Sequence, residues 1–272
     1  LALSVTITLA LLVLIGLPLG AILPQKYVVQ LPINVLVPLY IDPTAGGWER
    51  LCSSAIKHGE TNFTIIINPS NGPGTTTWPA GPYIEAIQRL NKLSNVQTVG
   101  YIDTERGTRD SAAVRKEIET YAGWNQSKIA ISGIFFNNTP YEEWEHGQRK
   151  RGAHTMWSGT AESYLQNVTA TVRQAQGLLE PKLVLHSPGR VPQVSLTSAH
   201  VDLTVVFEGT YTELPSKTSM REKLKALGGR REKYAYLVYD VPKEISRGGI
   251  RRIVDGMRRN AAWLFVTSLG GD

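Results

Sequence analysis

VQTVGYIDTERGTRDSAAVRKEIETYAGWNQSKIAISGIFF, residues 96–136, reads as strand, helix, strand. VQTVGYI (96–102) and IAISGIFF (129–136) are short runs rich in β-branched and aromatic residues. Between them Val114, Ile118 and Tyr121 recur at helical spacing and make one apolar stripe. Two strands joined by a helix pair in parallel, with a right-handed crossover.

The same unit repeats outward in both directions. Upstream lie INVLVPLYI (33–41) and FTIII (63–67); downstream lie KLVLH (182–186), DLTVVFE (202–208), YAYLVY (234–239) and AWLFVT (262–267). Pro38 weakens the first run as a strand, because proline brings no ladder donor. Further helical stripes are Ile84, Ile87, Leu90, Leu93; Tyr164, Val168, Val172, Ala175, Leu179; and Ile250, Ile253, Val254, Met257. Trp48, Leu51, Cys52, Ala55 and Ile56 also share a face, which makes Cys52 a core residue. The fifth strand has the poorest helix after it, in VPQVSLTSA. Eight such units predict an α/β fold, a (β/α)8 barrel over residues 33–272. A barrel of this kind takes roughly 250 residues. The competing doubly wound sheet advertises a Gly-rich phosphate turn after its first strand, and DPTAGGWER with Gly46-Gly47 is not that turn.

Composition agrees with a packed domain. Of 272 residues 42% are hydrophobic and 19% charged, which excludes a disordered chain. A single cysteine excludes an internal disulfide framework. The 29 Lys+Arg against 23 Asp+Glu give +6, scattered too widely for a nucleic-acid footprint. Gln148-Arg149-Lys150-Arg151, Arg230-Arg231, Arg251-Arg252 and Arg258-Arg259 read as solvated surface. Residues 1–23 carry no charge and are long enough for a transmembrane signal-anchor, with 24–32 as linker. A secreted protein with a cleaved signal is the alternative. Sequons at Asn62, Asn125 and Asn167 suit an extracellular or luminal body. A fourth, at Asn137, falls where a glycan would plug the expected site.

Function in such a barrel sits at the C-terminal strand ends. Those ends carry Asp42, Asn68, Asp103, Asn137-Asn138, His186, Glu208, Asp240 and Thr267, with Tyr40, Trp78, Tyr101, Tyr141, Trp144 and Tyr211 near the same rim. Amides, carboxylates and aromatic faces together suit a sugar chain. The histidines show no metal spacing, so neither metal nor cofactor is expected.

VPLYIDPTAGGWERL, FTIIINPSNGPG, NVQTVGYIDTERGTR, ETYAGW, GIFFNNTP and VDLTVVFEGTY occur in this order. Over residues 34–267 they resemble the spherulation-specific, spherulin-four type of cell-surface protein, found largely in fungi and other microbes. The resemblance implies a (β/α)8 glycoside hydrolase acting endo on alpha-linked N-acetylgalactosamine in galactosamine-containing exopolysaccharide. Membrane anchors also occur in that family. It implies an acidic Asp-Glu pair after GIFF, where this chain has Asn137 and Asn138, and a third acid that matches Glu208. These three mark the expected catalytic positions; Tyr40, Asp42, Asn68, Tyr101, Asp103, His186 and Asp240 are expected to bind substrate. Glycosidases usually need two carboxyl groups, so the pair of amides implies reduced or lost hydrolysis. Tyr141-Glu142-Glu143-Trp144-Glu145 offers the nearest replacement acids. The alternative is a glycan-binding or structural surface protein.

Overall fold

A computed structural model describes residues 31–143, 159–198 and 200–270. The expected membrane helix (1–23) and most of its linker lie outside the described residues, as do Trp144, Glu145 and the cluster at 148–151. No helix among the described residues is long and apolar enough to cross a membrane.

From Pro32 onward the chain is one compact unit. Eight parallel strands close in sequence order: β1 (Asn34–Leu39), β2 (Phe63–Ile67), β3 (Val96–Asp103), β4 (Gly133–Asn137), β5 (Leu183–Ser187), β6 (Leu203–Thr210), β7 (Tyr234–Tyr239) and β8 (Trp263–Val266). The helices are α1 (Glu49–Lys57), α2 (Gly81–Leu90), α3 (Ser111–Gly123), α4 (Ala161–Gln174), α5 (Lys217–Leu227) and α6 (Arg247–Met257). The β5–β6 connection holds only a 3-10 turn, Val194–Leu196, where the sequence offered no convincing helix. The open-sheet alternative is thereby excluded. Gly46 and Gly47 serve a tight turn: Gly46 has φ +78°, and a Cβ on Gly47 would stand 2.3 Å from the Asp42 carbonyl oxygen.

Pro38 is tolerated for a specific reason. The Val35 N–H donates toward β2, to the Asn62 carbonyl, and the Asn34 N–H toward β8, to Ala262. Alternation aims the Pro38 nitrogen at β8, and pairing with β8 ends at Val35. No ladder bond is lost. The fourth run enters its strand late: Ile129 and Ile131 are buried in the approach and pairing starts at Gly133. Two stripes end on a residue that leaves the buried face. Leu179 lies beyond α4 and is 46% exposed while Leu178 is buried; Ile56 of α1 is 67% exposed. Cys52 is buried beside Trp48 and Ala55, and that burial raises its thiol pKa.

Period-two alternation sorts the strand residues. Leu36, Ile66, Val99, Phe135, Leu185 and Leu237 fill the lumen. Their neighbours Val37, Ile65, Ile67, Ile134, Phe136 and Val184 pack outward. Of the basic clusters, Arg231 straps the barrel's closure, donating to Pro32, Arg258 and Ala261 carbonyls. Arg230, Arg251, Arg252 and Arg259 are exposed.

The helix layer locks onto β3 at one position. Tyr121 of α3 is fully buried, and its hydroxyl lies 3.0 Å from the Tyr101 carbonyl oxygen and 3.2 Å from that of Ile67. Its ring lies flat on Gly100, where a Cβ would approach within 2.7 Å. Gly100→Ala is therefore expected to destabilise the barrel by about 1–3 kcal/mol through overpacking. Urea unfolding checks this; Gly59→Ala, at a position open to solvent, is the neutral control.

Candidate functional site

The site begins where β3 and β4 end side by side. Asp103 pairs with Asn137 in the ladder. Buried Thr104 pins the next turn, its hydroxyl donating to the Asn137 and Asn138 carbonyls at 3.0 and 2.8 Å. Asn138 has φ +48°, a left-handed conformation that asparagine accepts better than most residues. Both amide side chains are engaged as donors. Asn137 Nδ2 lies 2.9 Å from the Tyr101 hydroxyl, and Asn138 Nδ2 lies 2.9 Å from Asp103 Oδ2. Asp103 Oδ1 accepts from the Glu105 N–H at 2.7 Å. Burial pushes the Tyr101 phenol up to about 12.

Glu208 arrives from the far side. Leu203 and Val205 of β6 face the lumen, so strict alternation would bring Phe207 inward and turn Glu208 out. A register shift between Val205 and Phe207 resets the count. Val206 and Phe207 both pack outward, and Glu208 points in. Its carboxylate accepts from Ser187 Oγ at 2.9 Å and from the Tyr239 hydroxyl at 3.2 Å. Burial raises the Glu208 pKa, and these two bonds offset only part of that. Tyr40 closes the group. Its ring meets Tyr101 edge-on at 5.6 Å; the residue is 41% exposed overall, yet its phenol is raised first by desolvation and then by the charge of Glu208.

The structure thus brings together Tyr40, Tyr101, Asp103, Asn137, Asn138 and Glu208. Asn68 serves beside them by ordering the INPSNGPG loop, its Oδ1 accepting from the Gly72 N–H at 2.9 Å. Three expected binding residues belong elsewhere. His186 faces the helix layer, with Phe136 edge-on at 5.8 Å and Thr169 Oγ1 3.2 Å from its Nε2. Burial lowers its pKa to about 4. Asp42 is exposed and accepts from the Thr44 N–H at 2.8 Å, a local turn. Asp240 is exposed, left-handed at φ +52°, and tied by its N–H to Leu269. Among the rim aromatics, Trp78 packs against the helix-layer core and Tyr211 against the β6–β7 outer cluster. Glu143 is no spare acid: its carboxylate accepts from Ala161 and Glu162 N–H groups at the start of α4. The Asn137 sequon is also occluded, since Thr139 is fully buried.

Ser187 and Tyr239 are the residues that strand-end reading missed. Each lies two positions after a lumen residue, Leu185 and Leu237, and that parity was the available signal. Chemically the group offers one carboxyl with a raised pKa, one carboxylate that accepts from an amide, and amide and phenol groups able to hydrogen-bond. Among the described residues no cluster of three or more His, Cys, Asp or Glu is placed to hold a metal.

Residues 34–272 match the model of Spherulation-specific family 4. No curated protein sequence matches the chain at comparable significance. Among solved structures, Aspergillus clavatus Sph3, determined in complex with GalNAc, is 32% identical over 89% of this chain and 91% of its own, with a TM-score of 0.75. A GH5-4 broad specificity endoglucanase from an uncultured bacterium is 8% identical over 87% of each chain, with a TM-score of 0.44. Endoglucanase CEL6B from Humicola insolens is 17% identical over 54% of this chain and 46% of its own, with a TM-score of 0.38.

His186 gives the fold a defined acid limb. The unfolded imidazole takes its proton near 6.5, and the folded one resists protonation down to about 4. Native stability is lost as pH falls through that window, by about 3 kcal/mol for this group. Urea titrations at pH 7 and pH 4 are expected to show that His186→Gln flattens this part of the profile.

Proposed function

The chain belongs to Spherulation-specific family 4, and from that premise we propose that its barrel binds N-acetylgalactosamine-containing polysaccharide at the strand-end rim and hydrolyses it slowly or not at all. The sugar class is supported by the 32% identical A. clavatus protein, which was solved with GalNAc. The observation that carries the slow chemistry is the bonding of Asn137 and Asn138. Both side-chain amides donate hydrogen bonds to the site's own phenol and carboxylate, and an amide neither gives nor takes a proton at useful pH. Acid–base groups contribute about 10²–10⁴ in rate, so amides at both positions remove most of it. Glu208 remains as a single carboxyl on the far side of the group, its pKa raised by burial. A preformed rim of this kind favours holding glycan over cutting it.

In the same reading residues 1–23 anchor the barrel at the outer cell surface and Asn62, Asn125 and Asn167 carry glycans. Asn62 and Asn125 are exposed and Asn167 is half-buried on α4. Expression in a eukaryotic host is expected to give a membrane-fraction protein whose mobility shifts on deglycosylation. A soluble, unglycosylated product refutes this part.

The catalytic part is tested by restoring acids. Wild type is expected to bind N-acetylgalactosamine oligomers and release few reducing ends. Asn137→Asp with Asn138→Glu is expected to raise the rate by about 10² or more, and Glu208→Ala added to that pair to abolish the gain. Rapid hydrolysis by wild type would overturn the reading and point to Asp103 as the second acid. A folded double variant with no gain in rate would show that the rim is not arranged for hydrolysis at all.

A further inference from the structure

Two guanidinium groups rest on one tyrosine beside the site. Arg190 Cζ lies 4.5 Å from the centroid of the Tyr141 ring, and Arg106 Cζ lies 5.2 Å from it. The three residues come from the loops after β5, β4 and β3. Each arginine is tied to the site by backbone. The Arg106 N–H donates to the Asn138 carbonyl at 2.6 Å. Arg190 follows Gly189, whose carbonyl accepts from the Glu208 N–H at 3.0 Å. Arg190 also bridges Phe207, next to Glu208. Tyr141 is held in turn, its carbonyl accepting from the Gln193 N–H at 2.8 Å.

Both arginines are exposed, and neither forms an ion pair among the described residues. Carboxylates lie close in sequence: Glu105 precedes Arg106, and Glu142 follows Tyr141. Stacking on a ring leaves the guanidinium N–H donors free, whereas pairing would occupy them. The Arg106 backbone is costly to hold. Glu105 and Arg106 have φ of +48° and +56°, a left-handed backbone that residues other than glycine rarely adopt. That conformation is retained beside the site by the Asp103 bond to the Glu105 N–H and the Asn138 bond to Arg106. A purely packing role needs neither two cations nor a strained loop.

We propose that Arg106, Tyr141 and Arg190 form a subsite for an acidic sugar unit, a uronate carboxylate or a sulfate ester, next to the N-acetylgalactosamine site. The proposal rests on the glycan-binding reading and narrows it to a glycan that carries acid groups. The guanidinium fork matches carboxylate and sulfate oxygens in bidentate fashion.

Calorimetric titration of the full chain tests this with three probes: neutral N-acetylgalactosamine oligomers, unsulfated chondroitin (alternating N-acetylgalactosamine and glucuronate), and chondroitin sulfate. At least one acidic polymer is expected to bind tenfold or more tighter than the neutral oligomer, with the difference shrinking as salt is raised. Tighter binding of unsulfated chondroitin identifies the carboxylate, and tighter binding of the sulfated polymer alone identifies the sulfate ester. Arg106→Gln with Arg190→Gln is expected to erase that preference while neutral-oligomer affinity stays within twofold. Arg106→Lys with Arg190→Lys is expected to restore it in part, since charge returns without the fork. Equal binding of acidic and neutral probes overturns the subsite. So does a parallel loss of both in the glutamine variant, which would make the stack structural. Arginine-dependent binding of an acidic polymer without neutral binding would uphold the subsite and refute the N-acetylgalactosamine reading. No binding of any probe would refute both.

Discussion

Side-chain alternation in a barrel with no free edge is the constraint on which the site depends. Each strand residue must face either the lumen or the helix layer. In this barrel the lumen is packed by Leu36, Ile66, Val99, Phe135 and Leu185, so ligand access is confined to the strand ends. Counting two onward from a lumen residue gives the rim: Asp103 from Tyr101, Asn137 from Phe135, Ser187 from Leu185 and Tyr239 from Leu237. Among the strand residues of the group, Glu208 alone breaks the count. Without the shift at Val205/Phe207 its carboxylate would turn toward the outer cluster of Met220, Leu224 and Tyr236. A carboxylate unpaired among such side chains is strongly disfavoured. The shift satisfies two demands together, placing Val206 and Phe207 in that cluster and the acid among donors.

The amides make a self-consistent network. An acid at position 138 would stand within hydrogen-bond reach of Asp103, and two carboxyl groups that close disfavour each other's ionisation. Here Asn138 instead donates to Asp103 and Asn137 to Tyr101. Asparagine also suits the left-handed backbone at 138. Returning Asn138 to glutamate removes a donor, sets like charges together and adds backbone strain. Any recovered chemistry would come at some loss of stability, the usual tension at functional positions.

Much of the fold was legible because apolar runs set strand positions to within a few residues and helical stripes set the faces between them. The misses have physical causes. Strand-end polarity does not say which way a side chain points; parity does, and it sends His186 outward and Ser187 inward. Asp42 and Asp240 follow their strands, where turn hydrogen bonds rather than pleat decide direction. The shift in β6 carries no sequence mark, since VVFE contains neither glycine nor proline. Pro38 looked damaging because its harmlessness depends on where pairing with β8 ends, a long-range fact. The Arg106–Tyr141–Arg190 stack joins three loops far apart in sequence, and no local pattern announces it.

Charge is therefore layered from inside to outside. Asp103 and Glu208 lie at the strand ends, bound by amide, phenol and hydroxyl donors. The two stacked guanidiniums stand outside them on the loops. Electrostatic attraction and repulsion fall off with distance and solvent screening, so a ligand at the loops meets these guanidiniums first, together with exposed Glu105 and Glu142 beside them. In the proposed glycan-binding reading, a polycationic, deacetylated galactosamine chain would meet repulsion from the two guanidiniums. In that reading a chain of neutral acetylated units would meet no such barrier, and one bearing acid groups would be drawn in. The net charge of +6 is a poor guide to this selectivity, because it averages the basic outer helices with a rim whose own charges alternate in sign.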